Sequence, residues 1–148
     1  MRIALDTNII LDAAMDRPGS DGAKALIQAV LSEEITGIVT ANSITDIHYI
    51  VKKRVGEDAA RTAVYNALSI FETVPVDAEA CMEALNLPMG DYEDAVLSSC
   101  AQSAGAEYIV TRDEGLLDEE GCPVAAIRPE DLLNMLREEA GSEPTDAE

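Results

Sequence analysis

Apolar positions along the chain switch between two spacings, and the switches mark out the elements. Arg2–Leu5 is a short apolar run that stops at the polar triplet Asp6-Thr7-Asn8. Such a run predicts a buried strand, then a turn that can cap a helix led by Ile9, Ile10 and Leu11. After the loop Arg17-Pro18-Gly19-Ser20, the residues Ala23, Leu26, Ile27, Val30 and Leu31 recur at helical spacing, with Ser20 or Asp21 as cap. Gly37–Thr40 predicts a second strand. Asn42 or Ser43 is expected to start a helix carrying Ile44, Ile47, Ile50 and Val51, ended by Gly56. A further helix follows from Glu57 to about Ile70.

The second half repeats the theme. Glu72–Val76 is expected as an edge strand, since Pro75 lacks a ladder donor. Asp77 caps a helix through Leu85, Pro88-Met89-Gly90 breaks the chain, and Asp91 opens a helix that reaches Ala104-Gly105. Tyr108–Val110 predicts a strand ending at Thr111-Arg112-Asp113, and Pro123–Ile127 a last one. Arg128-Pro129-Glu130 starts a final helix through Leu136. Strands alternating with helices imply an α/β fold, a three-layer α/β/α arrangement with a short central parallel sheet. One domain over residues 1–137 is expected, followed by an acidic, disordered tail at 138–148.

Composition changes this picture in two places. The chain has 148 residues, 47% of them hydrophobic, so a core can form without staples, and with no Trp and one Phe it must be aliphatic. No apolar run reaches membrane-span length, and the charged start leaves no room for a secretory signal. Cys81, Cys100 and Cys122 are widely spaced, without a CxxC pair, and read as reduced, mostly buried thiols of a cytoplasmic protein. The net charge of −19, from 10 basic and 29 acidic residues, runs against the basic surface expected of a nucleic-acid binder. The tail accounts for part of that excess.

Several other acids stand at element boundaries. Asp6 follows the first strand, Asp46 lies early in the helix after the second, and Asp113 follows Tyr108–Val110. Asp91 and Asp94 share one face of a helical first turn. Each alone reads as a helix cap or a dipole partner. Gathered at the carboxyl ends of strands, where open α/β sheets place their sites, they would repel by about 4 kcal/mol per close pair at an effective dielectric near 20. They would then have to take up protons or bind hard divalent cations, Mg²⁺ or Mn²⁺. No GxSxG, Walker motif or GxGxxG occurs, and the lone His48 reads as a packing or surface residue.

The stretches Ile3-Ala4-Leu5-Asp6-Thr7-Asn8-Ile9-Ile10-Leu11-Asp12, Ala41-Asn42-Ser43-Ile44-Thr45-Asp46-Ile47-His48-Tyr49-Ile50, Asp91-Tyr92-Glu93-Asp94-Ala95-Val96 and Tyr108-Ile109-Val110-Thr111-Arg112-Asp113 stand in an order that resembles the PIN domain, and within it the VapC-like toxin group. The resemblance covers nearly all of residues 1–137. It implies a metal-dependent endoribonuclease that leaves a 5′-phosphate and a 3′-hydroxyl. It implies Asp6, Asp46, Asp94 and Asp113 as catalytic and metal-binding acids, with Asp91 sharing the metal. Asn8 and Thr111 are implied as supporting residues for Asp6 and Asp113. Two departures stand out: Asp46 falls where the family usually carries Glu, and Leu116-Leu117 replace a common Asp-Phe pair. Lys52, Lys53, Arg54 and Arg112 are the candidates for gripping RNA phosphates, with helix-end charge complementarity as the other reading of the first three. The resemblance further implies a homodimer and a small antitoxin partner.

Two other acid-lined α/β folds fit less well. A phosphorelay receiver needs a Lys after the last central strand, where Thr111-Arg112-Asp113 has none. A haloacid-dehalogenase-type phosphatase needs Asp where Asn8 stands. The remaining alternative is a PIN-fold binding module with weak or no nuclease activity, which the net charge and the two departures favour.

Overall fold

The computed structural model describes residues 1–142. Its elements follow in order as β1 (Arg2–Leu5), α1 (Thr7–Ala14), α2 (Asp21–Leu31), β2 (Thr36–Thr40), α3 (Ala41–Arg54), α4 (Glu57–Ile70) and β3 (Glu72–Val74). The second half holds α5 (Ala78–Leu85), α6 (Tyr92–Ser103), β4 (Tyr108–Val110), α7 (Glu114–Leu117), β5 (Ala125–Ile127) and α8 (Pro129–Ser142). The strands form one sheet in the order β3-β2-β1-β4-β5, parallel at every pairing, with helices on both faces. This is the expected three-layer arrangement.

Alternation along the strands builds two cores. Ile3 and Leu5 of β1 and Val110 of β4 join Ile9, Leu11, Leu26, Ile47 and Leu132 on one face. Ala4 and Ile109, one residue out of step, join Leu97, Ala101 and Leu116 on the other. Each fully buried Leu or Ile contributes about 1.5–3 kcal/mol. Gly37 on β2 gives up its side chain to this packing, since a Cβ there would stand 2.7 Å from Phe71 Cδ1.

Several expected boundaries move. β3 ends at Val74, so Pro75 follows the edge strand and is outside it, and β5 begins only at Ala125. The start of α3 is Ala41, with Thr40 in the capping position, so neither Asn42 nor Ser43 starts it. The short α7 was not expected. α8 continues through Glu138 and Glu139 to Ser142, so residues 138–142 of the expected tail are helical, and 143–148 lie outside the described residues. Of the three free thiols only Cys100 is buried, while Cys81 and Cys122 are half-buried. Among the described residues no helix is long and apolar enough to cross a membrane.

Candidate active site

Strand order reverses between β1 and β4, because the chain builds outward from β1 to β3 on one side and then returns to β4 on the other. Such a switch point opens a crevice at the carboxyl edge of the sheet. Asp6 leaves β1 there, its N–H donating to Val110 O at 3.0 Å. Thr111 leaves β4 fully buried, and its hydroxyl donates to Asp6 Oδ2 at 2.8 Å while accepting the Asp113 N–H at 3.0 Å. One hydroxyl therefore ties the acid after β1 to the acid after β4. Thr111 was expected to support Asp113; it supports Asp6 as well. Asp113 also caps α7, its Oδ1 accepting the Gly115 N–H at 3.1 Å.

The helices add further carboxylates. Asp91 caps α6 by accepting the Asp94 N–H at 3.0 Å, which sets Asp94 in the first turn, half-buried. Burial, then the charges of Asp91, Asp6, Asp113 and Glu93, push the Asp94 carboxyl up to about 6. The Asp6 carboxyl is also raised, chiefly by burial and also by Asp113, against the opposing hydrogen bond from Thr111. The backbone N–H groups of Thr7 and Asn8 also hold it down, without forming a full capping bond. Asp6, Asp91, Asp94 and Asp113 thus share one electrostatic neighbourhood.

Glu93, which the sequence reading passed over, belongs to it too. Although much of its surface is exposed, its carboxyl is raised by partial desolvation, then by Asp46, Asp91 and Asp6. Its position between two predicted acids was the signal available. Asp46 meets the cluster through Glu93. Two further features went unread. Ser43 Oγ joins Thr7 Oγ1 at 2.7 Å and Thr40 Oγ1 at 3.1 Å, pinning the start of α3 to the start of α1. Asn42 Oδ1 is buried without a hydrogen-bond partner, one helical turn before Asp46 on the same face.

These groups define what the site can hold. Among the described residues no three His, Cys, Asp or Glu side chains form a ready-made cage for an ion. A hydrated hard cation needs none, since Mg²⁺ keeps several waters and is commonly held through one or two carboxylates. The donors are all oxygens, and burial together with the charges of Asp91, Asp6, Asp113 and Glu93 raises the Asp94 carboxyl, the mark of carboxylates crowded without compensation. That donor set fits a hydrated divalent cation.

A family model described as the PIN domain matches residues 2–115. The chain belongs to the PIN-domain family. It is 30% identical over 136 residues to ribonuclease VapC7 of Mycobacterium tuberculosis (strain ATCC 25618 / H37Rv), a match covering 78% of this chain and 85% of that protein. Its fold is similar to the crystal structure of VapBC2 from Rickettsia felis bound to a DNA fragment from their promoter. That likeness has a TM-score of 0.66 and 19% identity, covering 86% of this chain and 98% of the other. A toxin-antitoxin complex from Klebsiella pneumoniae is similar at TM-score 0.61 and 20% identity, covering 86% and 97%.

In this PIN domain the basic residues picked from the sequence lie away from the acids or are already engaged. Lys52, Lys53 and Arg54 occupy the last turn of α3, roughly 16 Å along the helix from its start at the sheet edge. Lys52 pairs there with Glu57 at 3.3 Å, and His48 reaches the same carboxylate at 3.3 Å. The carboxylate gathers Arg61 as well, at 2.8 Å. Arg112 turns from Asp113 to the buried Asp12, donating from Nη1 to Oδ2 at 2.8 Å. The Asn8 side chain does not orient Asp6, since its Oδ1 accepts from Arg17 Nη1 at 3.5 Å and only its backbone acts on Asp6.

Proposed function

We propose that this PIN-domain protein is a metal-dependent endoribonuclease, using Mg²⁺ or Mn²⁺ to hydrolyse RNA phosphodiester bonds, and is the toxin of a toxin–antitoxin pair. The observation that carries the reading is the Thr111 hydroxyl, bonded at once to Asp6 and to the Asp113 backbone at the switch point. The ribonuclease VapC7 relative supports the substrate class.

Asp6, Asp94 and Asp113 would hold the cation, Asp91 would share it, and the shorter Asp46 would act through water with Glu93 beside it. A divalent ion bound there supplies charge that activates water and stabilises the leaving oxygen. The chain's own residues prepare that site. Thr111 fixes which Asp6 oxygen is free, since Oδ2 is already taken. Asp91 fixes the first turn of α6, and so the direction of Asp94. At pH 7 an Asp94 carboxyl raised to about 6 is mostly ionised, ready to meet a cation. Hydrolysis should leave a 5′-phosphate and a 3′-hydroxyl.

Wild type is expected to cleave a mixed single-stranded RNA pool in Mn²⁺, and Asp6→Asn to lose roughly 10²-fold or more of that rate. Equal rates would show that the cleavage does not come from this site. The reading would then pass to a PIN-fold binding module, which the net charge of −19 favours. Three free thiols suit a reducing cytoplasm. Exposed apolar side chains on α4 (Tyr65, Leu68) and α5 (Met82, Leu85) support protein partners, an antitoxin and a second copy of the chain. Expression alone should arrest growth, with relief by an adjacent small gene product; unaffected growth would remove the toxin assignment.

A further inference from the structure

Asp12 is a charged residue in the interior of α1, and its side chain is only 7% exposed. Buried carboxylates need compensation, and this one has two guanidinium partners. Arg17 Nη1 reaches Oδ1 at 3.3 Å from the loop after α1, and Arg112 Nη1 reaches Oδ2 at 2.8 Å from the turn after β4. Two positive charges on one negative leave one in excess. Each guanidinium spends only Nη1 on hydrogen bonds among the described residues, and the two side chains are 34% and 40% exposed, so Nη2 and Nε remain to donate. Gly19 lies over Arg112, where an added Cβ would stand 3.2 Å from Nη2, so a side chain at 19 would crowd that nitrogen.

The position of this group matters as much as its charge. Arg112 is adjacent to Asp113, and Arg17 Nη1 touches Asn8, two residues from Asp6. The only other carboxylate with several cationic partners among the described ion pairs is Glu57, at the far end of α3. The excess positive charge therefore borders the carboxylate cluster, in a chain whose net charge of −19 opposes nucleic-acid binding as a whole. Forked guanidiniums match phosphate oxygens in geometry as well as charge.

We infer that Arg17 and Arg112 form a phosphate-binding subsite for the RNA backbone beside the acids, and that Asp12 is the positioning residue holding both guanidiniums; this rests on the ribonuclease reading above. The test measures two quantities. Binding of a labelled single-stranded RNA is followed by anisotropy in the Asp6→Asn background, and single-turnover cleavage is followed in the otherwise wild-type chain. Arg17→Met and Arg112→Met should each weaken binding about tenfold. Each should also lower the slope of log affinity against log salt by about 0.7. Arg137→Gln, far along α8, should change neither. Asp12→Asn should hold or tighten RNA binding, because local positive charge rises, yet lower the cleavage rate of the folded protein about tenfold as the guanidiniums lose their anchor.

A purely structural Asp12 would instead lower the melting temperature and leave the cleavage rate per folded molecule unchanged, which would overturn the positioning role. Unchanged binding and salt slope in both arginine variants would overturn the subsite, whatever the wild type cleaves. Should wild type cleave nothing while the arginine variants still lose affinity, the ribonuclease reading falls and the phosphate subsite stands. If Asp12→Asn does not fold, the two arginine variants decide the subsite alone.

Discussion

At Thr111 one hydroxyl both donates to Asp6 and accepts from the Asp113 backbone. Thr111→Val keeps the volume and removes both bonds, so it should lower RNA cleavage about 10–100-fold, while Thr111→Ser retains most of it. Steady-state rates on one RNA oligonucleotide check this, and a Val variant as active as wild type would refute it. Asp94 makes a pH prediction. Its folded-state carboxyl is raised to about 6, so the fold disfavours the ionised form. The metal-free protein should be most stable below the unfolded carboxyl value near 4 and lose stability as pH rises through about 6. Asp6, shifted in the same direction, adds to the trend. Asp94→Asn should flatten that profile and stabilise the metal-free chain at neutral pH by about 1 kcal/mol, after allowance for partial exposure. Urea unfolding in a chelator from pH 4 to 8 measures both, and an unchanged slope would contradict the assignment.

At the scale of elements, α7 couples the core to the turn that carries Asp113. Asp113 caps it, and Leu116, 1% exposed, anchors it in the core formed with Ala4 and Ile109. The departure at 116 is therefore a packing residue. Leu116→Ala should cost about 2–5 kcal/mol by denaturant titration. Because α7 holds the turn that carries Asp113, it should also weaken cleavage in the protein that remains folded. Four residues are too few to show a helical period, which is why α7 was invisible in the sequence. Longer helices were legible from two or more apolar repeats, and α5 and α6 also from a capping Asp, as where Asp77 Oδ1 accepts the Ala80 N–H at 2.9 Å. Pro75 correctly marked an edge strand even though β3 stops just before it.

For the whole molecule the decisive property is charge. At −19 the chain repels itself and any polyanion, and monovalent salt can only screen that generally. A divalent cation bound at the acids stabilises by mass action, about 2.7 kcal/mol at a hundredfold excess over its dissociation constant. Mn²⁺ should therefore raise the melting temperature by several degrees beyond Na⁺ at equal ionic strength, and Asp94→Asn should remove most of the difference. An equal rise in both salts would mean that no specific site exists. The sequence alone determined the order of the strands and the longer helices, the parallel α/β class and the acids that follow β1 and β4 or open α6, because periodicity and capping are local and act within a turn or a strand. Tertiary structure alone decided which charge meets which: Glu93 with Asp46, Arg112 with the buried Asp12, Arg2 with Glu72. Those pairings act through a few ångströms of space between distant stretches of chain, and strand order and helix packing set those distances.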